Sequence, residues 1–207
     1  MSKFSATKTS ENTFAVQLRK VGRIVKGIID SHVIDGKVDE KSLTRALFYY
    51  SEILTPWAEN LSEKIIRSIS KNNERAFMEK KKKISRSLLD IYTSQGIGLV
   101  AKQLQNEQVS LITSLPTEAA EKAQIISRNA VINGTRAEQS AKKILELGDI
   151  TINRATLIAR TETAKANTAL TVARATAIGS KSYIWRTAGD ADVRESHRIL
   201  NGQIFEY

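Results

Sequence analysis

Ile158-Ala159-Arg160-Thr161-Glu162-Thr163-Ala164, then Trp185-Arg186-Thr187, then Asp190-Ala191-Asp192-Val193-Arg194-Glu195-Ser196-His197: these three blocks decide how the chain reads. The first lies in an alanine-rich tract, with Ala at 155, 159, 164, 166, 169, 173, 175 and 177. Ala is the best helix former, and its small side chain lets a neighbouring helix come close. The tract predicts the longest helix of the chain, over about 151–178, capped by Asp149 or Thr151 and ended by Gly179. Glu162 falls on the stripe of Ala155, Ala159 and Ala166. A carboxylate on a packed face needs a partner. Arg160 points elsewhere on a helix, which leaves Arg194 as the candidate. Residues 181–187 alternate, with Tyr183 and Trp185 on one face and Ile184 on the other, and read as a strand. Residues 188–192 form a loop, and Asp190 or Asp192 caps a short helix to Leu200. Asn201-Gly202 then turns the chain into a second short strand over 203–205. Trp185 and Tyr183 are expected to form the small core of this module, braced by Glu162, Arg194 and His197.

Upstream, the pattern is helical. Residues 1–10 read as a disordered polar arm. Over 11–33, Phe14, Leu18, Val21, Val25 and Ile28 repeat at helical spacing, and Asp35-Gly36 makes a turn. Asp39 caps a second helix with Leu43, Leu47, Tyr50 and Leu54. Thr55-Pro56 predicts a fresh start or a kink, after which Trp57, Leu61, Ile65 and Ile69 continue the stripe. The pattern thins, returns at Ile84, Leu88 and Ile91, breaks near Gly96-Ile97-Gly98, and resumes through Leu99, Leu104, Val109 and Leu111. Pro116 is the clearest boundary, since proline cannot continue a helix ladder. Gly148 reads as another helix end. The expected fold is therefore mainly α: an extended helical N-terminal arm followed by a small α+β module. The expected units are a helical region at 11–115 and a second domain at 116–207.

The chain has 32 Lys and Arg against 22 Asp and Glu, a net charge of +10. Residues 64–102 alone hold 10 basic and 3 acidic residues. The centre is Lys80, Lys81, Lys82, Lys83 and Arg86. Such a cluster attracts polyanions, and without aromatic interleaving it favours sequence-independent phosphate contact. A solvated helix face is the plain alternative. No apolar run is long enough to span a membrane, and an amphipathic membrane-surface helix is disfavoured because no large aromatic face opposes the lysines. There is no Cys, which excludes a disulfide framework or thiolate zinc site within these residues. Neither GxxxxGK[ST] nor GxGxxG occurs. Asp190, Asp192, Glu195 and His197 are the one concentration of catalytic residue types. They admit a metal-dependent hydrolase or nuclease. Helix capping and a polar network around Trp185 explain the same residues without catalysis. No enzyme and no cofactor are expected.

The blocks quoted first also resemble a family. In order and separation, A-R-T-E-T, W-x-T, D-x-x-V-R-x-x-H and the following N-G are similar to the phage head-morphogenesis domain of the Mu F-like minor capsid proteins. The motifs occupy residues 155–205 and place Arg160, Glu162, Trp185, Asp190, Arg194, His197 and Gly202 at the family's structural positions. Family members usually continue into a cysteine-containing segment, whereas this sequence stops at Tyr207. The resemblance implies a minor capsid protein of a tailed bacteriophage, acting in head assembly near the portal and in DNA packaging or ejection. The implied partners are the portal protein, a major capsid or scaffolding protein, and double-stranded DNA. The implied location is the virion head, with the host cytoplasm during assembly. A helical, sequence-independent nucleic-acid binder outside any phage is the other reading of the same charge.

Overall fold

The computed structural model describes residues 6–80, 96–187, 189 and 191–207. Lys81, Lys82, Lys83, Arg86 and Asp190 lie outside the described residues, as do the Lys80 side chain and the repeat of Ile84, Leu88 and Ile91. The described elements are, in chain order, α1 (Ala6–Ser31), β1 (Val33–Ile34), β2 (Lys37–Val38), α2 (Glu40–Lys80), α3 (Gly96–Ile132), α4 (Ala137–Ala177), β3 (Ser182–Ile184), α5 (Glu195–Leu200) and β4 (Ile204–Glu206). The fold is mainly α with a small α+β module at the C-terminal side.

The four long helices form an up-down-up-down bundle, in which each packs against its sequence neighbour or closes the ring. Antiparallel neighbours are fixed by cross-helix contacts. Ser51 Oγ on α2 donates to the Thr113 carbonyl on α3 at 2.8 Å. Lys165 Nζ on α4 meets Glu107 on α3 at 2.5 Å. Lys26 Nζ on α1 meets Asp149 on α4 at 2.7 Å. The helices expected as an extended arm thus pack against the alanine-rich helix. Their apolar stripes have no other place to be buried.

The core has two connected parts. One joins Phe14, Leu18, Leu54, Ile69, Ile112 and Leu170. The other joins Val25, Ile29, Leu43, Leu47, Ala120 and Ile144 near the turn between α1 and α2. That turn is a two-residue hairpin: Val33 pairs Val38 and Ile34 pairs Lys37. Asp35 and Gly36 both take positive φ, at 49° and 71°, as a tight hairpin of this hand requires. Asp39 caps α2, accepting the Ser42 N–H at 3.1 Å, and hydrogen bonding from the Ser42 hydroxyl, then from this N–H, holds its carboxyl below the usual range.

Several sequence expectations are corrected. α1 begins at Ala6, inside the expected arm, and Ser10 is buried against Ser68 at 2.9 Å. Pro56 and Pro116 both lie within continuous helices. Pro116 is itself buried and marks no helix boundary. Pro116 has no N–H to give the Ile112 carbonyl one turn back; one residue on, the Thr113 carbonyl accepts from Ser51 Oγ. Gly148 is interior to α4, which starts at Ala137, well before Asp149 and Thr151. Its role is close approach: a Cβ at Gly148 would lie 2.6 Å from the Lys26 side chain. Gly22 faces the same crossing, where a Cβ would lie 2.9 Å from the Ile152 side chain and 3.0 Å from its Cα. Trp57 and Leu99, placed on apolar stripes, are 37% and 74% exposed.

Candidate functional site

The module after α4 is built around a two-stranded ribbon. β3 and β4 pair antiparallel, with Tyr183 opposite Phe205 and Ile184 opposite Ile204. The ladder runs past the strand ends. The Trp185 N–H reaches the Gln203 carbonyl at 2.9 Å, and the Tyr207 N–H reaches the Lys181 carbonyl at 3.2 Å. Side chains alternate across a ribbon, so Tyr183, Trp185, Phe205 and Tyr207 share one face. Their rings touch. Tyr183 stacks on Phe205 at 5.7 Å and on Tyr207 at 5.5 Å, and Phe205 meets Trp185 edge-on at 6.1 Å.

α5 folds back over one end of this face. His197 presents its ring edge-on to Trp185 at 5.6 Å. Gly202 takes φ 90°, and its N–H donates to the Trp185 carbonyl at 2.8 Å, closing the turn. Asn201 adds a side-chain bond, accepting the Thr187 N–H at 3.1 Å. The family-pattern residues Trp185, His197 and Gly202 therefore meet. The expected capping by Asp192 does not occur. Arg194 holds the cap position in an extended conformation, with no side-chain cap bond. Asp192 sits exposed in the preceding turn.

The module differs from expectation in depth. Among its described residues after Ile178 none is buried. Tyr183 is 36% exposed and Trp185 half-buried, so the rings form a surface stack rather than a core. Nor does Arg194 reach Glu162. Glu162 sits in α4 at 6% exposure, and the charges that act on it are Lys165 and Glu107. Its Oε2 has no hydrogen-bond partner, and burial pushes its pKa up. Lys165 is engaged by Glu107, whose carboxyl it holds down. Arg160 is exposed on α4. Among the described residues, no three of His, Cys, Asp and Glu come together as metal ligands.

Two features escaped the sequence reading. Tyr207 joins the ring stack, as its period-two spacing from Phe205 could have suggested. A buried polar knot also ties α2 to α4. Asn73 donates to Asn167 Oδ1 at 2.8 Å and Thr171 Oγ1 at 2.7 Å. Arg174 donates to Asn73 Oδ1 and, at 2.9 Å, to Ser70 Oγ. Only the pairing of helices reveals that knot.

Residues 121–207 match the family described as Phage Mu protein F like protein. The match supports a Mu F-like phage head-morphogenesis family for this segment. The match takes in the last third of α3, all of α4 and the aromatic ribbon. An uncharacterized protein of Haemophilus influenzae is 40% identical over 99 residues, covering 48% of this chain and 22% of that protein. The chain thus spans about a fifth of the length of the relative it matches. No solved structure matches. No described helix is long and apolar enough to cross a membrane.

Proposed function

We propose that this chain is a minor capsid protein that acts in head assembly of a tailed phage, at or near the portal inside the head. It works by docking rather than by catalysis. The observation that carries this reading is the Mu F-like segment at 121–207, whose Trp185, His197 and Gly202 make one continuous aromatic and turn structure. That ribbon exposes Tyr183 and Tyr207 on one face and Ile184 and Ile204 on the other, apolar surfaces suited to a protein partner. Arg160, Glu162, Asp190 and Arg194 are the other family positions, and their role is structural.

The partners are the portal protein and a major capsid or scaffolding protein. The chain also contacts double-stranded DNA without sequence preference, through Lys80, Lys81, Lys82, Lys83 and Arg86, during packaging or delivery. The test is capture of this chain by the portal and major capsid proteins encoded beside it. Retention by either supports the reading, and retention by neither overturns it. The DNA contact is read separately from salt dependence. Replacing the five cations with Ala should lower the slope of log affinity against log salt by up to about 4 on duplex DNA. An unchanged slope would remove the cluster from the contact.

A further inference from the structure

One face of α2 is covered by neither α1 nor α3. Tyr49, Ile53 and Trp57 lie on it at helical spacing, at 62%, 54% and 37% exposure. Asn60 and then Lys64, Lys71 and Arg75 continue the same line in steps of three, four or seven residues, all exposed. From Tyr49 to Arg75 the line runs about 39 Å along the helix. No Asp or Glu stands on it. The acids Glu59 and Glu63 of α2 line the groove with α3, which Asn60 borders as well, and Arg67 is drawn toward Glu63 at 2.5 Å. Among the described residues, no carboxylate pairs with Lys64, Lys71 or Arg75.

Beside Trp57, between α1 and α2, a groove of about 350 Å³ opens onto this line. Thr9, Thr13 and Gln17 line its α1 wall, and Asn60, Lys64 and Ser68 its α2 wall. It contains no carboxylate. Hydroxyls and amides both donate and accept hydrogen bonds, as base edges and phosphate oxygens require. An indole face, neutral polar groups and a cation in one groove are what a nucleotide presents surfaces for: a ring to stack, edges to bond and a charge to neutralise. A duplex hides its base faces and offers mainly phosphates to such a stripe, whereas a single strand can turn a base onto the indole and run its backbone along the cations.

We propose that this face of α2 binds single-stranded nucleic acid, with a base stacked on Trp57 in the groove and phosphates on Lys64, Lys71 and Arg75. The proposal rests on α2 and α1 alone and stands apart from the duplex contact assigned to residues 80–86. The test is fluorescence anisotropy of the full chain with a labelled 20-nucleotide oligothymidylate. A 20-base-pair duplex and polyglutamate serve as competitors. All titrations are repeated in the chain carrying Ala at positions 80–83 and 86, so that failure of the duplex contact and failure of this one are separable. Trp57→Ala should weaken binding to the single strand about tenfold or more, and Trp57→Phe should restore most of it. Ala at Lys64, Lys71 and Arg75 together should lower the salt slope on the single strand by about 2. Trp57 belongs to neither core cluster, so the variant should keep native helix content at the assay temperature even if its melting point falls, and circular dichroism there separates lost binding from lost structure.

Oligothymidylate that does not bind, or binds the Trp57→Ala chain as tightly as the wild type, overturns the proposal. Duplex that competes as well as single strand would reduce the face to plain phosphate contact. Polyglutamate that competes equally, with the same loss in Trp57→Ala, would assign the face to an acidic protein instead.

Discussion

The bundle and the ribbon that follows it are held by different physics. In the bundle, Phe14, Leu18, Leu47, Ile112 and Leu170 are completely buried, and long helices share one apolar interior. In the ribbon, the described residues bury nothing fully, and order comes from ring contacts, a glycine turn and a short hydrogen-bond ladder. An isolated two-stranded ribbon is marginal in water. The contrast teaches that the bundle stores the stability of this chain, while the ribbon stores a shape that a partner can complete.

The largest test of that contrast is Phe14→Ala, which should cost about 3–5 kcal/mol in urea unfolding. A loss under about 1 kcal/mol would move the core elsewhere. Next is Gly22→Ala. The helix gains roughly 1 kcal/mol in propensity from such a change. The new methyl, however, would meet Ile152 backbone at 3.0 Å, so a net loss of about 1–2 kcal/mol is expected in thermal unfolding. Stabilisation instead would show that α1 and α4 can separate freely at their crossing.

A third test concerns the buried acid. Burial raises the pKa of Glu162, so the folded chain holds that proton more tightly than the unfolded one. Its contribution to stability is therefore greatest below the ordinary glutamate range. It is lost as pH rises from that range through the raised value. Glu162→Gln should stabilise the chain at about pH 7, with the advantage vanishing near about pH 4. A variant weaker at both pH values would mean that the carboxylate is paired. The smallest global effect belongs to Trp185→Ala. Amide exchange should lose protection from Tyr183 to Tyr207, while the bundle melts within about 0.5 kcal/mol of the wild type. Coupled loss of both would erase the distinction between the two regions.

What the sequence revealed follows the same division. Spacing exposed Phe14, Leu18, Val21 and Val25 as one stripe, and all are buried. Alternation and Asn201-Gly202 exposed the ribbon, because its bonds are local. The two prolines misled because both lie inside continuous helices, and Gly148 because it serves the close approach of α1. Trp57 misled for the opposite reason, being in phase with an apolar stripe yet just outside the contact. Glu162 was correctly placed on a packed face, but the charges that act on it come from α4 itself and from α3 rather than from the ribbon. Which helices lie side by side is not written in any single window. The Asp35-Gly36 hairpin was another overlooked local signal, its flanks of Val33-Ile34 and Lys37-Val38 being only long enough for two paired positions.

The closing of the ring by α1 against α4 has a consequence for synthesis. The first helix leaves the ribosome with Phe14, Leu18, Val25 and Ile29 uncovered, and its main partner ends at Ala177. At about 5–20 residues per second, that partner is complete only roughly 7–30 s later. Until then only α2 and α3 can cover part of that apolar ridge, which leaves the nascent chain a natural substrate for a holding chaperone. Translation halted before α4 would release a sticky fragment rather than a folded half.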